Sequence, residues 1–314
     1  MKDESKGLPR TSVRGRFAPS PTGPLHLGHA QTMLLCWLQV RALGGALVLR
    51  IEDVDRGRIR PGAEEQIFRD LAWLGFDWDE GPDVGGDFGP YRQSERADRY
   101  AAALEALSDR TFECTCTRKE VRLAAGLVAE AGTEVPYSGT CRLGVADPDR
   151  PERAVRVRVD PGQLHWDDLW QGPSAESPAA LCGDFILRTK QGDTAYQLAC
   201  SVDDIAMGIT HILRGQDLAS SNGRQMLLHR WLDASYSPLF AHTPLRVDDD
   251  GVRLAKSRGS VGICDLRDAG EDPKVLLAEL ALGLGLIDTV GEALVPSDLL
   301  SAFVDQMPQL LRRS

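Results

Sequence analysis

The stretch from Val13 to Ile51 constrains the fold of this chain more than any other. Val13 to Ala18 reads as a short strand, and the turn Pro19-Ser20-Pro21-Thr22-Gly23-Pro24 ends it. From His29 to Leu43 the apolar residues Met33, Leu34, Trp37 and Leu38 recur at helical spacing. Gly44-Gly45 closes the helix, and Ala46-Leu47-Val48-Leu49-Arg50-Ile51 is a compact apolar run of the kind a parallel sheet buries on both faces. Strand, loop, helix and strand make a β-α-β unit with its loops at one end of the sheet. The predicted fold class is therefore α/β, with a Rossmann-like doubly wound parallel sheet.

Helical patterns follow at 62–75 and 94–108, the first exposing Glu64, Glu65, Arg69 and Asp70 while burying Ile67, Leu71 and Leu74. From Thr111 the texture changes to a Cys-, Pro- and Gly-punctuated region with strand-like alternation at 154–159 and 185–188. This predicts an inserted α+β domain over 111–194 that splits the doubly wound domain into halves at 13–110 and 195–262. Core-like character returns at 196–199 and 209–214, followed by a helix at 221–232. Residues 263–314 read as a short C-terminal helical segment, with helices at 273–284 and 296–311.

With 42% hydrophobic and 26% charged residues, the chain has the content of a packed globular protein, which excludes disorder and collagen-like repeats. No apolar run approaches the roughly 18 residues of a membrane span, and Met1 to Arg16 lacks the apolar core of a signal peptide. A cytoplasmic protein with no membrane partner is expected. The net charge of −10 argues against a polyanionic partner, yet residues 1–60 hold ten Lys or Arg against five Asp or Glu. That asymmetry is compatible with a local basic face for nucleic acid, or equally with a solvated tail beside scattered surface arginines. Seven cysteines, an odd number on a long chain, speak against a disulfide framework.

The segment Arg16-Phe17-Ala18-Pro19-Ser20-Pro21-Thr22-Gly23-Pro24-Leu25-His26-Leu27-Gly28-His29 lies between the first strand and its helix. Three prolines and two glycines stiffen it. His26 and His29, three apart at a helix opening with Gly28 between them, can face one side and approach a phosphate, where helix amides add positive potential. Metal binding is the rival chemistry, although no third ligand with zinc spacing sits nearby. Two ordinary surface histidines are the plain alternative.

The tetrad His26-Leu27-Gly28-His29 resembles the HIGH signature of the class I aminoacyl-tRNA synthetases, and the whole string with Arg50-Ile51-Glu52-Asp53-Val54-Asp55 resembles the glutamyl branch. Tyr196-Gln197-Leu198-Ala199 running into Val202-Asp203-Asp204, and Ile212-Leu213-Arg214-Gly215-Gln216-Asp217-Leu218, match in the same order. Arg253-Leu254-Ala255-Lys256-Ser257 stands for the family's KMSKS loop, with Lys256 in the place of the second lysine. Arg253 keeps the charge of the first lysine, while Ala255 removes a hydroxyl. The resemblance implies that ATP, accompanied by Mg²⁺, binds at His26, Gly28, His29 and Lys256, with His26, His29 and Lys256 as catalytic groups. Without the resemblance, Arg-Leu-Ala-Lys-Ser reads as a surface loop.

Glutamate carries two carboxylates and one ammonium, so a selective pocket needs two fixed cations and one anion, with arginine favoured for its planar fork. The family's positions for this task fall on Arg16, Phe17, Ala18, Pro19, Ser20, Glu52, Tyr196 and Arg214. By the resemblance, Glu52 meets the α-amino group, Arg16 and Arg214 hold the carboxylates, and Ser20 and Tyr196 supply hydrogen bonds. Each also has an ordinary reading: Glu52 paired with Arg50 or Arg56, Arg214 in a strand-end salt bridge, Tyr196 in the core.

Cys114, Cys116 and Cys141, with Tyr137 four residues before the last, resemble the C-x-C, Y-x-x-x-C zinc site in the insert of some glutamyl enzymes. This implies one structural Zn²⁺, with Tyr137 or a water as fourth ligand. Three free cysteines are the alternative. Cys36, Cys182, Cys200 and Cys264 read as buried small apolar residues.

Fewer than sixty residues follow Lys256, where ordinary glutamyl-tRNA synthetases continue into a helical anticodon-reading region. In this the chain resembles the glutamyl-queuosine tRNA(Asp) synthetase family, which activates L-glutamate without tRNA and transfers it to queuosine at the wobble position of tRNA(Asp). A monomer is expected. The alternatives are a compact glutamyl-tRNA synthetase charging the tRNA 3′ end, and a non-catalytic zinc-containing RNA-binding paralogue.

Overall fold

In the computed structural model, which describes residues 13–126, 135–244, 261–289 and 294–312, β1 (Arg14–Phe17) and β2 (Ala46–Leu49) pair in parallel, Arg14 opposite Ala46 and Phe17 opposite Leu49. Helix α1 (Leu27–Ala42) is their crossover. The period-2 alternation of β1 sends Gly15 and Phe17 toward α1 and the two arginines to the other face. A Cβ on Gly15 would lie 2.4 Å from Val40 Cγ2, so the missing side chain is what lets α1 settle on the strand. Phe17, Leu47 and Leu49 join Leu34, Leu35 and Leu38 in one core. On the opposite face Arg14 pairs with Glu80 and Arg16 with Asp204, both arginines buried.

Two further strands, β8 (His211–Gly215) and β9 (Leu239–Thr243), pair in parallel with each other in a second sheet that lies beside the first. Just before β8, Thr210 N donates to the Arg14 carbonyl at 2.9 Å and Arg14 N donates to Thr210 Oγ1 at 2.8 Å, which sets β8 beside β1. Asp204 of α6 (Tyr196–Ala206) meets Arg16, so α6 covers the face opposite α1, and α7 (Asn222–Leu232) packs against α6. Helices therefore flank a parallel sheet on both sides, as the β-α-β pattern predicts. On the α1 side the layer is completed by α9 (Pro273–Gly283) and α10 (Leu300–Gln306), whose Leu277, Leu280 and Phe303 enter the same core. This double cover explains why α1 is buried almost all round.

Within 111–194 a second, antiparallel sheet joins β3 (Thr111–Cys114), β4 (Ala154–Val157) and β7 (Ile186–Arg188). The hairpin β5 (Leu164–Asp168) and β6 (Gly172–Glu176) departs from that sheet and adds to the parallel one, Asp168 bridging Phe240 of β9. Helix lengths also differ from expectation. Residues 62–75 and 94–108 yield α2 (Ala63–Trp73) and α3 (Ala97–Ala106). The stretch 296–311 is a 3₁₀ turn, α10 and a second 3₁₀ turn, because Pro308 has no N–H to continue the helix. Short helices α4 (Arg118–Ala124), α5 (Pro178–Leu181) and α8 (Ile263–Asp268) carry no predicted counterpart.

Of the ten basic residues in 1–60, Lys2, Lys6 and Arg10 lie outside the described residues. Arg14, Arg16 and Arg50 are buried, and Arg41 pairs with Asp77 and Asp79, which leaves Arg56, Arg58 and Arg60 exposed without an ion pair among the described residues. Cys36, Cys182 and Cys200 are buried as expected, whereas Cys264 is half-exposed. No helix among the described residues is long and apolar enough to cross a membrane.

Candidate active site

His26 is the N-cap of α1. Its Nδ1 accepts from Gly28 N at 3.1 Å and His29 N at 3.4 Å, and His29 Nδ1 accepts from His26 N at 3.2 Å. This is a reciprocal capping box with imidazoles in both roles. A neutral ring whose Nδ1 accepts carries its proton on Nε2, so the cap assigns both tautomers. Desolvation lowers both pKa values below the ordinary histidine range, His26 adding to the effect on His29 and Asp217 opposing it at His26. The rings stack with centroids 3.7 Å apart. Gly28 leaves room for them, since a Cβ there would come within 3.0 Å of His26 Cε1. Two neutral Nε2–H donors beside a helix N-terminus suit phosphate oxygens. Metal binding by this pair gains no support: among the described residues the metal-type cluster is Cys114, Cys116 and Cys141.

Main-chain bonds tie the Pro-rich loop to the strand ends beside it, Arg50 N donating to Phe17 O at 2.8 Å and Glu52 N to Pro19 O at 3.0 Å. The Phe17 ring turns into the core against Phe76, on the face of β1 opposite Arg16. Ala18 is half-buried and Ser20 exposed. Beneath them lies a buried charge network that sequence reasoning missed. Asp204 Oδ1 accepts from Arg50 Nη1 at 2.7 Å and from Arg16 Nε at 3.3 Å. Arg50 Nη2 donates to Glu52 Oε1 at 2.9 Å, so the ordinary pairing of Glu52 with Arg50 is real. Glu52 Oε2 nevertheless has no hydrogen-bond partner among the described residues. Burial alone would raise the Asp204 pKa, but Arg50 and Arg16 bring it down to about 2. Burial also pushes the Glu52 carboxyl up, opposed by Arg50 and Arg16.

Arg214, on β8, makes no strand-end salt bridge among the described residues. Its Nε donates to His242 Nε2 at 3.0 Å, Nη1 to Gln225 Oε1 at 2.6 Å and Nη2 to Asn222 Oδ1 at 3.0 Å. A guanidinium has five N–H donors, so Arg214 retains two, enough for one carboxylate. Arg16 spends two, on Asp204 and on the Leu213 carbonyl at 3.1 Å, and retains three. Tyr196 opens α6 half-buried. Burial raises its phenol well above the ordinary range, with Cys200 and Glu52 adding and Arg214 and Arg16 opposing, so all three predicted ionic residues lie within electrostatic reach of it. The structure thus brings Arg16, Glu52, Tyr196 and Arg214 together. Lys256 and the rest of Arg253–Ser257 lie outside the described residues. The chain enters that stretch at Pro244, whose carbonyl accepts from Gln31 of α1, and leaves it at Gly262, bridged to His26.

In the insert, the Cys114, Cys116 and Cys141 sulfurs lie within 4.8 Å of one another. The Tyr137 hydroxyl is 3.4 Å from Cys114 Sγ and 3.8 Å from Cys116 Sγ, and Cys116 Sγ is 3.6 Å from Cys141 Sγ. Thiolates about 2.3 Å from one tetrahedral Zn²⁺ stand roughly 3.8 Å apart, so the donor set fits such an ion. Cys141 N donates to Tyr137 Oη at 2.8 Å and Ala146 N to Cys141 Sγ at 3.3 Å; against burial, such amides bring the Cys141 thiol down to about 6, whereas burial and Cys114 raise the Tyr137 phenol above its ordinary range.

Residues 12–303 match the family described as tRNA synthetases class I (E and Q), catalytic domain. The glutamyl-Q tRNA(Asp) synthetase of Symbiobacterium thermophilum is 44% identical over 298 residues, 92% of this chain and 91% of that protein. Its namesake from Deinococcus radiodurans is 47% identical over 279 residues, 86% of this chain and 88% of that protein. Among solved structures, a glutamate-tRNA synthetase from Elizabethkingia anophelis has a TM-score of 0.79 at 29% identity, with 92% of this chain and 65% of that chain covered. This chain therefore spans just under two thirds of that synthetase.

Proposed function

This chain belongs to the class I tRNA synthetases (E and Q) and, within them, to the glutamyl-Q tRNA(Asp) synthetases, and we propose that it activates L-glutamate with ATP in the absence of tRNA and transfers it to queuosine at the wobble position of tRNA(Asp). The observation that carries this reading is the donor count in the pocket: two guanidiniums with unspent N–H groups and one carboxylate with an unspent oxygen. Glutamate offers the complementary set of two carboxylates and an ammonium. The glutamyl-Q relatives support the acceptor by their name and by near full-length coverage.

In this mechanism Glu52 receives the ammonium, Arg16 and Arg214 the carboxylates, and Tyr196 and Ser20 hydrogen-bond the substrate within the Arg16–Ser20 loop, lined by Ala18 and Pro19. The α-carboxylate oxygen attacks the α-phosphorus of ATP, the Pα–O bond to the β-phosphate breaks, and pyrophosphate leaves with the bonding electrons. His26 and His29 donate Nε2–H to phosphate oxygens over Gly28, and Lys256, by its match to the second signature, neutralises the departing charge. Mg²⁺ travels with ATP and shields its phosphates when bound. A cyclopentenediol hydroxyl of queuosine then attacks the adenylate carbonyl, the bond to phosphate breaks, AMP departs and the hydroxyl proton passes to solvent. No protein nucleophile is needed, since positioning and electrostatics lower the barrier. A Zn²⁺ held by Cys114, Cys116, Cys141 and Tyr137 would be structural, fixing the insert.

Incubation with ATP, labelled glutamate and tRNA(Asp) with or without queuosine tests this. Label is expected on the queuosine-bearing tRNA alone. Equal label on both, removable from the 3′ end, would instead identify a compact glutamyl-tRNA synthetase, and an inert metal-containing protein would identify an RNA-binding paralogue.

A further inference from the structure

We propose that Asp168 and His242 are positioning residues for glutamate binding, a relay that orients Arg214 without neutralising it. This rests on the glutamate reading of the pocket. Arg214 and His242 are register partners across the parallel β8–β9 ladder, and Asp168 ends β5 on the far side of β9. The three side chains form one line. Asp168 Oδ2 is 2.5 Å from His242 Nδ1, and His242 Nε2 is 3.0 Å from Arg214 Nε. All three residues are almost inaccessible, at 3%, 2% and 3% exposure.

The direction of each bond follows from what the end groups can do. Arginine Nε–H can only donate, so His242 Nε2 must accept and its proton must sit on Nδ1. That proton needs an acceptor, which Asp168 Oδ2 supplies. Asp168 is itself pinned, because its Oδ1 accepts from Trp170 N and Gln171 N at 3.0 Å each and from His242 N at 3.1 Å. The β5–β6 hairpin is thereby tied to the pocket through one carboxylate.

The neutrality of the partners gives the relay its purpose. Arg14, Arg16, Arg50 and Arg96 each pair with a carboxylate. Arg214 has no carboxylate partner among the described residues, and its three bonds end on an imidazole, an amide of Gln225 and an amide of Asn222. Neutral acceptors fix a guanidinium in place and leave its charge for a ligand, whereas a carboxylate would compete with the substrate. His242 packs parallel to Phe240, rings 6.3 Å apart at 12°, so an aromatic replacement can keep the packing and lose the acceptor.

The test compares H242F, which removes the acceptor, with H242Q, whose amide oxygen can reach the Nε2 position. Pyrophosphate exchange by the full chain should show kcat/KM for glutamate falling about 10- to 100-fold in H242F, as for loss of a buried hydrogen bond to a charged group. The KM for ATP should change less than about twofold, and H242Q should recover most of the loss. Independently, long-range ¹H–¹⁵N spectra of the imidazoles should show His242 as the Nδ1–H tautomer in the wild type, with that preference weakened in D168N. Wild-type exchange that H242F matches, failure of H242Q to exceed H242F, or an Nε2–H tautomer overturns the relay alone. A wild-type protein without glutamate-dependent exchange overturns the glutamate reading and this role together.

Discussion

His26 both caps α1 and presents an Nε2–H donor at its N-terminus, and the two tasks use different ring nitrogens. They can be separated by substitution. Serine is a preferred N-cap that accepts the same backbone amides, so H26S should change the free energy of urea unfolding by less than about 1 kcal/mol. Exchange activity should nevertheless fall about 100-fold or more, as when one donor to a developing anion is removed. Equal activity per folded molecule would assign His26 to the cap alone. At this scale the sequence is legible where the ligating groups are close together: the histidine pair, and Glu52 beside Arg50. It is opaque where an orienting partner lies far along the chain. Asp204 sits 188 residues from Arg16, and Asp168 sits 74 from His242. Arg50 at the end of an apolar run and the acids inside α6 were the available signals, since charges at such positions are rarely buried unpaired.

The contact between β1 and α1 is the element-scale feature most exposed to test. G15A introduces a Cβ against a stiff β-branched neighbour, Val40. Overpacking of this kind costs about 1–3 kcal/mol, read as a lower urea midpoint with an unchanged slope. Combining it with V40A should restore part of the loss, because the clash is removed; strictly additive losses would place the strain elsewhere. The β-α-β unit was legible because a continuous apolar strand and a long apolar-spaced helix have few alternative packings. The β5–β6 hairpin was not, for Leu164-His165-Trp166-Asp167-Asp168 mixes polar and apolar residues without a clean period, and its place beside β9 depends on the Asp168 bonds. The helix expected at 296–311 failed at Pro308, a residue whose effect is readable but was outweighed by the leucines around it.

Across the whole molecule, the proposed glutamate site draws on Arg16 from β1, Glu52 after β2, Tyr196 from α6 and Arg214 from β8, elements far apart in sequence. No local pattern encodes that meeting. What the sequence carries is the order of several motifs, and the structure adds the donor count that gives the order a chemical meaning. The central claim is that this pocket selects a dicarboxylic amino acid for reaction with ATP. Its most direct test is exchange of labelled pyrophosphate into ATP by the purified chain without tRNA, comparing glutamate with glutamine. Glutamate should support exchange that R16A or E52A abolishes, and glutamine, whose amide leaves one arginine fork without its carboxylate, should be at least about 100-fold poorer. No exchange with glutamate, or equal exchange with both amino acids, would contradict the claim.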